Sequence, residues 1–143
     1  NSKEEIFQNA KINFQIINGK INFDKTKLVS DEIGIFEFNN SNLLLRDNKI
    51  MLNTEILIEI ENSEALFSFF NTNKKLRKNF QTIFINLDYD FLNNQIKFNN
   101  LKINNIELND QLLTINDSFY YNDLTNFNKS RQLVNKLFKA YAG

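Results

Sequence analysis

The sequence predicts a mainly β, β-rich α+β fold: an antiparallel meander sheet with a short internal helix and a C-terminal amphipathic helix. Three observations predict it. Apolar and polar residues alternate with period two over much of the chain, Asn, Asp and Gly fall between the alternating runs, and only two segments switch to helical spacing. Alternation gives each strand one apolar face, and short links favour antiparallel neighbours. No Pro/Gly-rich linker divides residues 1–143, which read as a single domain.

In residues 11–17, Ile12, Phe14 and Ile16 alternate with Lys11, Asn13 and Gln15, placing three apolar side chains on one strand face. Asn18-Gly19 follows, a favoured two-residue hairpin turn, and Ile21 and Phe23 continue the alternation on the return. A third run holds Ile33, Ile35, Phe36 and Phe38, with Gly34 marking a bulge or a close backbone approach. Leu43 to Arg46 and Ile50 to Ile60 flank the turn Asp47-Asn48-Lys49. In the second of these, Ile50, Leu52, Ile56, Ile58 and Ile60 share a face opposite Asn53, Glu55 and Glu59.

Ser63 is the expected cap of a short helix carrying Leu66, Phe69 and Phe70, with Glu64 near the positive end of its dipole and an end near Asn71 to Asn73. Residues 82–91 return to strand spacing, with Ile83, Ile85, Leu87, Tyr89 and Phe91 against Asn86, Asp88 and Asp90. Asn93-Asn94 turns the chain into Ile96 and Phe98, and further short strands are expected around Leu101 to Ile106 and Leu108 to Ile115. Over 125–141, Ser130, Leu133, Val134, Leu137, Phe138 and Tyr141 follow the three-and-four spacing of an amphipathic helix, with Thr125 as a cap. Lys129, Arg131, Lys136 and Lys139 occupy its other surface.

Composition excludes more than it suggests. The chain has no His, Cys, Pro or Trp, so it lacks an imidazole or thiolate nucleophile and a zinc site of the usual N/S kind. Gly19, Gly34 and Gly143 lie too far apart to form a phosphate-cradling loop. With 17 basic and 17 acidic side chains there is no general pull toward nucleic acid. The excess of Asn, Ile and Lys over Arg follows AT-rich codon usage, which reads much of the Asn content as mutational. No apolar run reaches the roughly 18 residues that cross a bilayer, and nothing at the start reads as a signal peptide. The chain begins with Asn1 instead of Met, so the expectation is an excised or processed segment of a larger protein, with room upstream for any anchor or export signal.

Three groups of residues are candidates for chemistry. Asp88, Asp90 and Asn86 alternate on one strand face, with the acids about 7 Å apart, a spacing suited to a divalent cation or acid/base work but equally to a solvated strand face. Lys74, Lys75, Arg77 and Lys78 follow the Phe-rich helix and suit anionic lipid headgroups, or else a solvated helix end. The many Phe residues read first as core. If the apolar sheet face outruns its helical cover, the remainder forms a trough for acyl chains, lined by Ile56, Ile58, Ile60, Ile83, Ile85 and Leu87.

The order of "INGKINFD", "IMLNTEILIEIENSEALFSFF", "NKKLRKNFQTIFINLDYDFLNNQIKFNNLKIN" and "NKSRQLVNKLFKAYAG" resembles the C-terminal region of AsmA-like bacterial envelope proteins over most of the chain. The resemblance rests on the Asn18-Gly19 hairpin, the basic link before Thr82 and the closing helix. It implies a largely periplasmic protein anchored to the inner membrane through a segment outside this chain. It also implies a part in outer-membrane biogenesis and phospholipid movement between membranes. The family's N-terminal membrane helix is missing here, and no catalytic residue, metal or cofactor transfers. The expected function is a non-enzymatic, lipid-handling domain with phospholipid, a membrane surface or other envelope proteins as partners, and no nucleic acid. The alternative is a structural or protein-interaction β-domain of the surface or adhesin type with no lipid ligand. A third reading, a carboxylate-dependent glycan-processing enzyme using Asp88 and Asp90, trails both.

Overall fold

The computed structural model describes residues 7–120 and 126–143, the Tyr120 side chain excepted. Among them are nine strands in one antiparallel sheet, three α-helices and two single helical turns. The strands are β1 (Asn9–Lys11), β2 (Gln15–Ile17), β3 (Lys20–Asn22), β4 (Thr26–Ser30), β5 (Gly34–Arg46), β6 (Lys49–Ile60), β7 (Thr82–Asp90), β8 (Gln95–Ile103) and β9 (Ile106–Glu107). β1 pairs with β4 and β2 with β3, while β3 and β4 both lie along β5. The first four strands are therefore one long hairpin broken in the middle, and the sheet is a meander from end to end.

The break in that hairpin corrects the continuous strand expected over 11–17. Residues 12–14 leave the ladder, and the Thr26 hydroxyl stands in for a backbone partner, accepting from Asn13 N and donating to Asn13 O, both at 3.1 Å. β4 itself has no period-two signature in "TKLVS" and was not expected; its order comes from pairing along β5. A second irregularity, between Asn39 and Asn42, puts two residues of β5 opposite one of β6. There Asn40 takes φ 47°. The bulge shifts the parity of β5, so Phe36 and Phe38 before it and Leu43 after it pair with Ile58, Ile56 and Leu52 on the same face. Ser41 and Thr54 meet hydroxyl to hydroxyl at that point, both fully buried.

Tight turns use part of the Asn content. Asn18-Gly19, Asp47-Asn48 and Asn104-Asn105 each have positive φ at both residues, the conformation that matches the twist of the flanking strands. Asn supplies seven of the nine non-glycine residues with positive φ among the described residues, so the abundant residue is the one these turns need. Asn62, Asn73 and Asn126 also cap helical segments, accepting from Ala65 N, Lys75 N and Lys129 N. The caps are thus Asn62 and Asn126 where Ser63 and Thr125 were expected; Thr125 lies outside the described residues.

α1 (Ser63–Phe69) follows β6, and Asn71, with φ 50°, ends it in the expected place. α2 (Leu112–Tyr120) overturns the strand expected over Leu108 to Ile115. Leu112, Ile115 and Phe119 fall at helical spacing, with Ile115 and Phe119 buried against the sheet, and that packing outweighs the local β-like composition. α2 also finishes the edge of β8: Asn116 accepts from Phe98 N at 2.7 Å and donates to Phe98 O at 3.0 Å, as a neighbouring strand would. α3 (Phe127–Ala142) buries Leu133, Leu137 and Phe138 on its inward face, each contributing about 2 kcal/mol of burial free energy.

Cross-strand rows show how one face becomes the core. Phe36, Ile58, Ile83 and Ile103 form one row, Phe38, Ile56, Ile85 and Leu101 the next, and Leu43, Leu52, Tyr89 and Ile96 a third. The opposite face carries Lys27–Glu37 and Lys102–Glu107 ion pairs at 3.7 and 3.5 Å, with Lys102 also over the Phe84 ring. One face is oily and the other mostly polar.

Candidate functional site: an apolar cavity beneath the helices

α1 and α3 do not fill the space above the first two rows. A cavity of about 320 Å³ remains, lined only by apolar side chains. Ile58, Ile83, Ile85 and Leu101 belong to its sheet wall, Leu66, Phe69 and Phe70 come from α1, and Val134, Leu137 and Phe138 from α3. Phe7 and Phe127, 38% and 47% exposed, stand where the cavity meets solvent. The aromatic rings brace one another: Phe69 lies 4.9 Å from Phe70 and 5.4 Å from Phe127, and Phe70 lies 6.1 Å from Phe138. Water placed inside would find no polar partners, so the cavity favours an apolar occupant.

A second depression of about 300 Å³ lies on the same sheet face toward the opposite end, between Ile12, Phe23, Leu28, Phe38, Leu43, Leu52 and Phe91. Around it the cover is thin: Ile12, Ile16, Leu45, Ile50 and Phe91 are all about half exposed or more.

The residues expected to line an open trough sit differently. Ile58, Ile83 and Leu87 are buried in the core, and Ile56, Ile60 and Ile85 pack against it half-buried. Ile58, Ile83 and Ile85 nevertheless line the cavity, so three of the six reach an apolar space, and they reach it from below a roof of helices. Sequence periodicity identified the face and could not show where α1 and α3 would land on it. The exposed part of that face lies instead around Ile16, Leu45 and Ile50.

Of the basic cluster, Lys74, Lys75 and Lys78 are exposed on and after the helical turn Lys74–Leu76. Arg77 is already engaged: Nη1 donates to Glu64 Oε2 at 2.8 Å, Nε donates to the Thr72 carbonyl at 3.0 Å, and the guanidinium lies over the Phe67 ring. Arg131, read from sequence only as part of a basic helix surface, lies 4.4 Å from the centroid of Phe127 and 5.7 Å from that of Phe69. Its Nε is buried and has no hydrogen-bond partner among the described residues.

The acidic residues serve the sheet. Asp88 accepts from Asn53 Nδ2 at 2.6 Å and Asn99 Nδ2 at 3.2 Å. Asp90, 6% exposed, closes the β7–β8 turn by accepting from Asn93 Nδ2, Leu92 N and Asn93 N, with Lys49 at 3.7 Å. The Asn93 side-chain bond, aided by the two backbone N–H groups and Lys49, holds the Asp90 carboxyl below its usual value against the opposing effect of burial. A carboxylate with a depressed folded pKa adds stability that is present above its unfolded pKa, about 4, and lost as pH falls through the folded value. Urea unfolding of the protein and of Asp90→Asn across this range should therefore show a stability gap that is widest above about pH 4 and narrows on acidification. A gap independent of pH would contradict the assignment.

Among the described residues, no group of three or more His, Cys, Asp or Glu side chains is placed to hold a metal ion, and no helix is long and apolar enough to cross a membrane. No family model, no curated protein and no solved structure matches the chain.

Proposed function

We propose that this protein is a non-enzymatic, lipid-handling domain that shelters one acyl chain from water in the cavity between its sheet and helices. The observation that carries the reading is the cavity itself: about 320 Å³, walled only by apolar side chains and edged by the partly exposed Phe7 and Phe127. That volume sits at the low end of small-molecule sites, about 300–1,000 Å³, and its walls offer nothing to activate a bond. Lys74, Lys75 and Lys78 are exposed cations of the kind an anionic membrane attracts. The reading fits the resemblance to AsmA-like envelope proteins, and with it a periplasmic location, an anchor outside this chain, envelope-protein partners and no nucleic-acid ligand.

Solvent extraction of the purified protein followed by mass spectrometry should recover a chain-bearing lipid near one equivalent. Val134→Trp, which puts an indole into the cavity, should lose it while keeping the β-rich circular dichroism spectrum. Recovery of no lipid from the unaltered protein, or equal recovery from both, would sink the reading.

One observation favours a second reading, a β-domain that pairs with another polypeptide. The hairpin edge over 12–18 is uncharged, and Ile12, Phe14, Ile16 and Ile17 are all more than half exposed on it. An edge strand without charged guards is open to strand addition. Here the two ends of the sheet differ, because Asn116 already occupies the β8 edge.

A further inference from the structure

Two of the arginines lie against phenylalanine rings near the helices, and they are not alike. Arg77 gives its Nε and one Nη to protein oxygens. Arg131, one turn before the cavity-lining Val134, keeps its Nε buried without an acceptor among the described residues and has no ion pair among them. Its guanidinium rests on Phe127 and Phe69, both of which line the cavity. Arg131 as a whole is only partly buried and has no ion pair among the described residues, so its charge is left to meet an anion at the cavity rim. Guanidinium presents a planar fork that matches a carboxylate and stacks on aromatic faces while doing so. The small cavity suits one chain better than two, and its walls hold no polar atom to receive a head group within.

We propose that the occupant is a single-chain fatty acid, its tail in the cavity and its carboxylate accepting from the Arg131 guanidinium beside Phe127 and Phe69. This rests on the acyl-chain reading above and adds the sign, the chemistry and the place of the head group. Charge complementarity selects the fatty acid over a neutral amphiphile, and the volume selects it over a diacyl phospholipid.

Isothermal titration calorimetry with decanoate, decanol and decanoyl-lysophosphatidylcholine tests it near neutral pH. The unaltered protein should bind decanoate at least about tenfold more tightly than decanol, as expected for a charge-assisted hydrogen bond. Arg131→Gln should bring decanoate down to the level of decanol and leave decanol within about twofold of its original affinity, while Arg131→Lys, which keeps the charge without the fork, should fall between. Equal affinity for decanoate and decanol in the unaltered protein would overturn the proposal, with no dependence on how any variant folds. So would a parallel loss of both ligands in Arg131→Gln, since that is what a purely structural cation–π role gives. Tightest binding of the lysophospholipid would overturn the choice of a fatty acid. If neither decanoate nor decanol binds the unaltered protein, the acyl-chain reading itself fails, an outcome distinct from loss of the preference alone.

Discussion

Gly34→Ala should destabilise the fold by about 3 kcal/mol or more, combining backbone strain with a steric clash. Gly34 opens β5 with φ 143°, a conformation that side-chain-bearing residues rarely adopt. A Cβ there would run into the Glu59 carbonyl oxygen across the ladder and press on Glu61 N at 3.1 Å. The close approach has a purpose in the core. It lets Ile33, immediately before, bury its side chain while its carbonyl accepts from Glu61 N at 2.8 Å and Asn62 N at 3.3 Å, which fixes the path from β6 into α1. Denaturant unfolding should show the loss as a lower midpoint; a midpoint unchanged within error would mean that this crossing is looser than described.

Phe67→Ala should cost about 3–5 kcal/mol, the range for emptying a well-packed aromatic site. Phe67 is 1% exposed and meets Phe80 and Phe138 edge-on, with centroids at 5.0 and 5.7 Å, and so joins α1, α3 and the segment leading to β7. Its loss removes a hub common to three parts of the chain. Leu113→Ala, at a residue 77% exposed on α2, is the control and should stay within about 0.5 kcal/mol of the unaltered protein. Comparable losses from the two substitutions would show that the aromatic cluster does not organise the core.

The sheet was legible in the sequence wherever alternation and turn residues agreed. β6 and β7 run as their Ile and Leu spacing predicts, and Asn18-Gly19 forms the expected hairpin turn. Gly34 is the close approach that its place in a strand suggested. Legibility failed where a partner decides. β4 is held by β5 and not by its own pattern, and Leu108 to Ile115 reads as a strand until Ile115 and Phe119 find the sheet. The bulge between Asn39 and Asn42 could not be counted from one strand, because it exists only relative to the register of β6.

The candidate site was half legible for a similar reason. The apolar face was identified from Ile58, Ile83 and Ile85, but its cover depends on where α1 and α3 come to rest, which no single segment records. Arg131 carried a weak signal in its three-residue spacing from Val134 on the cavity side of α3. Only packing shows that its guanidinium lies over Phe127 and Phe69 while Arg77 is spent on Glu64.

Methyl-resolved NMR of the protein during titration with decanoate asks most directly whether the space beneath the helices takes an apolar chain. Ile83, Ile85, Val134 and Leu137 methyl signals should shift together and saturably, while those of Leu92 and Leu113, far out on the surface by their 71% and 77% exposure, stay in place. Signals that remain fixed in the cavity, or that move only at Leu92 and Leu113, would contradict it.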